Sequence, residues 1–137
     1  MKIFLTIVLI FGIIFIISGC TSLNNRGIDI IDFRTDKDTY SSFEEIRISL
    51  LIKSSGNFQD VQVNVLGIKP RQYYYINESK IINLTKGYNE ISFISKTPHC
   101  TSGCGGVYPG PYNITSEVLL NGKFVCNKTI QINLISK

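Results

Sequence analysis

The amino-acid sequence predicts an all-β fold, a single antiparallel β-sandwich of about seven strands that follows an N-terminal hydrophobic signal or anchor helix. Beyond residue 28, apolar residues alternate with polar ones, and a period of two is typical of strands with one buried face. Turn-forming residues separate these runs, and the many β-branched residues disfavour long helices. A small barrel is the alternative arrangement.

The individual strands follow from this alternation, with turns where Gly, Pro, Ser and Asn cluster. In chain order the predicted strands cover residues 28–33, 46–52, 61–65, 73–76, 81–84 and 91–94, and a hairpin follows them. The strand at 61–65 is expected to run antiparallel to the one at 46–52. Strands of this length and spacing are typical of an immunoglobulin-like sandwich.

The hairpin is the most readable part of the chain, because apolar residues alternate on both sides of Asn121-Gly122. A two-residue loop would mix the two faces of the hairpin. A three-residue loop at 121–123 instead sets Leu120 opposite Phe124 and Ile114 opposite Ile130. The pattern therefore predicts the three-residue loop, with Val118 opposite Cys126 on the inner face.

The N-terminus indicates where the protein lies in the cell. An uncharged apolar run at residues 3–17 leads into Ile17-Ser18-Gly19-Cys20, with small residues directly before the cysteine. This tetrad resembles the lipobox of prokaryotic lipoproteins, which implies that Cys20 is lipidated and becomes the first mature residue. An uncleaved membrane helix is the alternative. The predicted organisation is a lipoprotein signal peptide at 1–19, a lipid-anchored tether at 20–27 and an outward-facing sandwich at 28–137.

A second resemblance concerns the sandwich. The run DKDTYSSFEEIRISLLIKSSGNFQDVQVNVLGI, with an Asp/Tyr segment before strands divided by a Ser-Gly turn, resembles prokaryotic, in particular archaeal, Ig-like domains of the CARDB kind. PGPYNITSEVLLNGKF resembles the closing strands of that class. The resemblance implies an Ig-like fold, and the cysteine-containing loop departs from the usual pattern.

Three cysteines remain after lipidation, and an exported compartment permits a disulfide. The nearby pair Cys100 and Cys104 is the predicted disulfide, because Ser102 and Gly103 supply a turn between them. Cys126 is expected to be a small buried residue. A zinc site that uses His99 with these cysteines is disfavoured, since His99 and Cys100 are adjacent in sequence. No metal and no cofactor are expected.

Four Asn-X-Ser/Thr triplets occur, more than the roughly two that composition alone predicts. They make glycosylation candidates of Asn77, Asn83, Asn113 and Asn127. Their presence agrees with an exported surface protein.

The histidine count, the absence of common catalytic motifs and the charge distribution limit the possible functions of the chain. The chain has one histidine and none of the common catalytic motifs, so an enzyme is not expected. Its formal charge of +4 is spread without basic runs, and no nucleic-acid partner is expected. The favoured function is a structural, adhesive or protein-interaction module that meets an envelope protein or glycan. The alternative is a solute- or glycan-binding accessory lipoprotein, with Tyr73, Tyr74, Tyr75 and Tyr108 as its ligand surface.

Overall fold

The computed structural model describes residues 27–99 and 107–136, and these residues are all-β with no helix. They form eight strands, namely β1 (Ile28–Thr35), β2 (Thr39–Tyr40), β3 (Glu45–Ser54), β4 (Phe58–Gly67), β5 (Ile76–Leu84), β6 (Gly87–Lys96), β7 (Gly110–Leu120) and β8 (Lys123–Leu134). The expected signal peptide, nearly all of the tether and the cysteine-containing loop at 100–106 lie outside the described residues.

The strands form two sheets. The first has three strands in the order β1-β3-β6, and the second has five in the order β2-β8-β7-β4-β5. All the paired strands run antiparallel except β2, which lies parallel to the end of β8. The expectation of a purely antiparallel arrangement is therefore wrong at β2, because the chain crosses from the first sheet to the second and back within a few residues there.

Most of the predicted strands are confirmed. The differences concern the segment between β4 and β5 and the strands that pair with β4. The predicted strand at 73–76 is wrong, since residues 69–75 form a loop and β5 begins at Ile76. The predicted strand at 81–84 is the second half of β5. In addition, β4 pairs with β5 and β7 and not with β3, so the turn at 55–57 carries the chain from one sheet to the other.

The hairpin of β7 and β8 combines a two-residue loop with the register that was predicted for a three-residue loop. Ile114 lies opposite Ile130 and Val118 opposite Cys126, as predicted. The loop itself has two residues, and Leu120 pairs with Lys123. A bulge at Val125 supplies the extra residue that corrects the register, and it explains why Val125 and Cys126 are both buried. The predicted three-residue loop is therefore wrong, although the register beyond it is right.

A single hydrophobic cluster lies between the sheets. The first sheet contributes alternate residues of β3, and the second contributes alternate residues of β4, β7 and β8. The central members, all at most 1% exposed, are Ile46, Ile48, Leu50, Ile52, Val61, Val63, Val65, Ile114, Val118 and Ile132. Burial of such a side chain contributes about 1.5–3 kcal/mol, so this layer is the main source of stability.

The register defines two ends of the molecule. The basal end contains Gly27, where the described chain begins, and the turns at 55–57, 85–86 and 121–122. Hydrogen bonds from Ser55 N to Gly27 O (2.7 Å) and from Lys86 N to Asn57 Oδ1 (2.9 Å) join these segments. The distal end contains the connections at 36–38, 41–44 and 68–75, together with residues 97–99 and 107–109.

A lysine closes each side where the edges of the two sheets face one another. Lys80 of β5 donates to Ser92 O of β6 at 2.5 Å, and Lys128 of β8 donates to Ile31 O of β1 at 2.8 Å. The ammonium groups lie at the protein surface while their alkyl stems cover the core. Lysines on edge strands also disfavour pairing with the edge of another chain.

We predict opposite effects for two buried hydroxyl groups. Ser116 Oγ is buried with no hydrogen-bond partner among the described residues, whereas Thr97 Oγ1 donates to Ser41 O at 2.6 Å and accepts from Glu44 N at 2.9 Å. Ser116→Ala should raise the free energy of unfolding by about 1 kcal/mol, and Thr97→Val should lower it by about 1–2 kcal/mol. Denaturant unfolding followed by circular dichroism measures both. Equal losses for the two variants would mean that Ser116 has a partner.

Candidate functional site

The distal end is organised around Tyr40, which is fully buried in the short strand β2. Its hydroxyl donates to Asp36 Oδ1 at 2.6 Å and accepts from Lys37 N at 2.9 Å. Arg47 N donates to the same carboxylate oxygen at 2.9 Å. The ring thus closes the distal end of the core while its hydroxyl fixes the connection between β1 and β3.

These contacts change the acid–base properties of the pair. Burial, followed by the hydrogen bond to Asp36, raises the pKa of Tyr40 to about 12. Burial would raise the pKa of Asp36, but the hydrogen bonds from Tyr40 and Arg47 outweigh it and hold that pKa below its ordinary value. The pair therefore favours a neutral phenol beside an ionised carboxylate.

The 41–44 connection is attached to the rest of the distal end through Glu44, Thr97 and Phe43. Glu44 bonds to Lys37 and accepts from Ser41 N at 2.7 Å, and these hydrogen bonds lower the pKa of Glu44. Phe43, which lies between these contacts, is 66% exposed with φ at 57°. Its ring stacks on His99 with the ring centroids 4.9 Å apart. The connection therefore presents an aromatic surface at the very end of the molecule.

The 68–75 connection is held against β7. Gly67 approaches Ile114 so closely that a Cβ at residue 67 would lie 2.9 Å from an Ile114 side-chain carbon. Ile68 is fully buried at φ 53°, and its N–H donates to Asn113 O at 3.3 Å. Tyr75 N donates back to Ile68 O at 3.2 Å. Ile68 therefore fixes both ends of the connection that contains the three consecutive tyrosines.

The four tyrosines of the predicted ligand surface do not form one continuous surface. The hydroxyl oxygens of Tyr73 and Tyr75 share a hydrogen bond at 3.2 Å, which raises the pKa of Tyr75. Tyr74 points to the neighbouring sheet face, with Lys69 Nζ 5.0 Å from its ring centroid. Tyr108 belongs to a different connection, where its backbone N and O each bond to the Tyr112 hydroxyl at 3.0 Å. Among these four, Tyr74 alone lines the groove described next.

An open groove of about 430 Å³ lies at the distal part of the outer face of the five-stranded sheet. Its walls combine amide, hydroxyl and aromatic groups with a single ammonium group. The lining residues are Leu66, Lys69, Tyr74, Pro111, Tyr112, Asn113, Thr115 and Gln131. Tyr112, Thr115 and Gln131 carry no site signal in the sequence, where their alternation identifies them only as parts of the hairpin. The one indication is the outward position of Thr115 and Gln131 in the predicted register.

The outer faces of the two sheets differ in chemistry. The three-stranded face carries eight charged residues of both signs, Asp29, Asp32, Arg34, Glu45, Arg47, Lys53, Glu90 and Lys96. The five-stranded face carries mainly amides and hydroxyls, including Gln62, Asn64, Ser79, Asn113, Thr115, Thr129, Gln131 and Asn133. Glu117 and Asp60 are charged residues within the strands of that second sheet.

All four candidate glycosylation asparagines lie on this amide-rich face. Asn77 and Asn83 belong to the edge strand β5, and Asn113 and Asn127 belong to β7 and β8. Asn83 is partly engaged, since its Oδ1 accepts from Asp60 N at 3.1 Å. The structure thus places together sequons that are up to 50 residues apart in the sequence.

The remaining sequence-predicted sites are only partly within the described residues. Cys20, Cys100 and Cys104 lie outside them, and Cys126 is fully buried. Within the part of the chain that the structure describes, no three His, Cys, Asp or Glu side chains meet in a possible metal site. The same part contains no apolar helix of membrane-spanning length.

Comparison with known proteins shows the fold alone. No protein-family model matches the sequence, and no curated protein does either. Solved structures do match. The CARDB domain of PF1109 from Pyrococcus furiosus has 14% identity and a TM-score of 0.56, covering 80% of this chain and 94% of that one. The C-terminal domain of Wzt has 9% identity and a TM-score of 0.61, covering 86% and 79%. The CARDB match supports an Ig-like β-sandwich.

Some of the matched structures are domains of larger proteins. The alkylpurine DNA glycosylase AlkC of Pseudomonas fluorescens has 16% identity and a TM-score of 0.56 over 79% of this chain. This chain spans 30% of the length of that glycosylase. A similar fold thus occurs in proteins of different kinds, including an enzyme, and it does not by itself assign an activity.

We predict that Tyr40→Phe destabilises the protein by about 1–2 kcal/mol at neutral pH, because it removes two hydrogen bonds from the buried network. The folded-state pKa of Tyr40 lies above its unfolded value, so the stabilisation is complete below about pH 10 and is lost as the pH rises toward 12. The difference between wild type and Tyr40→Phe should therefore shrink between pH 10 and pH 12. Denaturant unfolding at several pH values measures it. Tyr88→Phe, which changes an exposed tyrosine at the basal end, is the control; a constant difference would contradict the role of the hydroxyl.

Proposed function

We propose that this chain is a non-enzymatic interaction module, fixed to the outer surface of a prokaryotic cell membrane by a lipid on Cys20, that meets an envelope partner through its distal end. One observation carries the proposal. The described chain begins at the basal end, whereas Phe43, Tyr73, Tyr74 and Tyr108 are exposed at the opposite end.

The dimensions support this orientation. Residues 20–26 extend for at most about 25 Å, which keeps the basal end near the lipid. Strands of ten residues, such as β3 and β6, are about 33 Å long. A domain attached at Gly27 would thus hold its distal connections several nanometres from the bilayer surface.

The chemistry of the distal end suits an interface. Aromatic side chains are enriched at the centres of protein interfaces, and Phe43 and Tyr108 are 66% and 58% exposed. Aromatic groups also occur at the basal end, where Tyr88 and Phe124 are exposed, but the distal set is larger. The only histidine of the chain, His99, stacks on Phe43 and so belongs to this aromatic surface.

Two further features belong to the same proposal. A Cys100–Cys104 disulfide would stiffen the distal connection between β6 and β7, since it closes a short loop. Glycans on Asn77, Asn83, Asn113 or Asn127 would lie on the five-stranded face and leave the charged face free of them. The resemblance to the CARDB class, which the structural match supports for the fold, agrees with a surface module of this kind.

Lipidation has a direct test. The mature protein extracted from membranes should begin at Cys20 and carry added acyl mass, and Cys20→Ala should leave the chain unprocessed. Intact-mass analysis of both proteins measures this, with Cys126→Ala as a control that keeps the Ile17-Ser18-Gly19-Cys20 tetrad. A mature pool that still begins at Met1 would show that the alternative, an uncleaved membrane helix, is right.

The use of the distal end is tested by photo-crosslinking in intact cells. A photoreactive phenylalanine analogue at position 43 or 73 should give covalent adducts to an envelope molecule at several times the yield of the same analogue at position 88. Position 88 is the matched control, because Tyr88 and Phe43 are both 66% exposed but lie at opposite ends. Equal yields from the two ends would contradict the proposed orientation.

A further inference from the structure

We propose that the groove on the five-stranded sheet binds a neutral glycan. This inference names the ligand class for the contact surface and rests on the proposed function. The groove of about 430 Å³ lies within the size range of ligand sites in proteins.

The charge distribution argues for an uncharged ligand. Lys69 is the one charged residue that lines the groove, and its ammonium group lies over the Tyr74 ring at 5.0 Å from the centroid. An anionic ligand of similar size is usually held by several cationic groups or by a bidentate arginine. The opposite sheet face, with its eight charged side chains, shows that the low charge near the groove is a local property rather than one of the whole surface.

The hydrogen-bonding groups argue for a ligand with many hydroxyls. Asn113 and Gln131 lie directly opposite one another on β7 and β8, so their side chains are neighbours on the outer face. Both residues are exposed, and neither amide takes part in the hydrogen bonds formed among the described residues. A carboxamide offers two donors and an acceptor, which matches the mixed donor and acceptor character of sugar hydroxyls. Thr115 adds a hydroxyl whose geometry is fixed by Thr129 at 2.8 Å.

The aromatic groups of the groove are already positioned. The Tyr112 hydroxyl is bonded to the backbone N and O of Tyr108 and its ring packs against the hydrophobic core, so Tyr112 is a fixed part of the groove border. Tyr74 is 39% exposed, and Lys69 covers one part of its ring. Ring faces next to hydrogen-bonding groups suit the alternating apolar and polar surfaces of a sugar ring. Little ordering is required on binding, so little of the interaction energy is lost to it.

The position of the groove in the sheet argues against a peptide strand. The middle strand β7 is paired with β4 on one side and with β8 on the other, so its backbone groups are already used. A peptide that joined a sheet would need an unpaired edge. Recognition here must use side chains, and the available side chains are amides, hydroxyls and tyrosines.

The test uses the full chain in a detergent without a sugar headgroup, produced in a host that does not glycosylate asparagine. The probes are soluble neutral polysaccharides, namely a glucan, a mannan and a galactan, with heparin as an acidic comparison. Affinity electrophoresis measures the dissociation constant of each. We expect at least one neutral polysaccharide to retard the protein and heparin to retard it less.

Matched variants locate the site. Tyr74→Ala and the double variant Asn113→Ala with Gln131→Ala should each weaken binding at least about tenfold, as expected for central contacts. The controls are Tyr88→Ala and Gln59→Ala, which remove an exposed tyrosine and an exposed amide at the basal end, and both should bind as wild type does. Circular dichroism checks that each variant is folded.

Several outcomes would overturn the inference. These are retardation by none of the neutral polysaccharides, stronger binding to heparin that depends on Lys69, or equal losses in the groove and control variants. If the inference fails while position 43 still crosslinks to an envelope molecule, the proposed function stands with a different ligand class. If the neutral glycan binds but the chain is not lipidated and the distal positions give no adducts, the proposed function fails while the groove remains a glycan site.

Discussion

A single layer of branched apolar side chains between two sheets of unequal width is the constraint on which the rest of the structure depends. Three strands face five, and the isoleucines and leucine of β3 pack against the valines of β4 and the apolar residues of β7 and β8. Such a layer must be closed at its sides and at its ends. Lys80 and Lys128 close the two sides, and Tyr40 closes the distal end. Lys80, Lys128 and Tyr40 thus complete the core and also form hydrogen bonds at its boundary with the surface.

The alternation of residues in the sequence predicts which face of a strand is buried, but it does not identify the neighbours of the strand. The inner faces of β3, β4, β7 and β8 are as predicted because burial of apolar area decides them. Membership of a sheet depends on where each turn sends the chain, and the 55–57 turn gives no sign that β4 leaves the sheet of β3. Tyr40 was missed as a core residue for a similar reason, since a two-residue strand has no period.

Part of the candidate site could be predicted, and part required the tertiary structure. The tyrosines at 73–75 were identified by composition, yet of these three only Tyr74 lines the groove, while Tyr73 and Tyr75 hydrogen-bond to each other. The hairpin likewise required the tertiary structure, because the sequence did not predict the bulge at Val125. The hydrophobic pattern favours the observed register, and the Asn-Gly turn favours a loop of two residues. The extra residue in β8 makes both possible. A local irregularity of this kind reflects a balance between two preferences that sequence reasoning treats as exclusive.

Asn113 connects the two uses that we propose for the amide-rich face. Its side chain lines the groove, and the same side chain is the acceptor of one of the four sequons. A sugar attached to Asn113 would stand in the groove and exclude a soluble glycan, so the two uses are mutually exclusive in one molecule. The other three acceptor asparagines do not line the groove, and modification there would leave it open. Glycosylation of this face would therefore act on binding through one position, while at the other three it would alter only the surroundings of the groove.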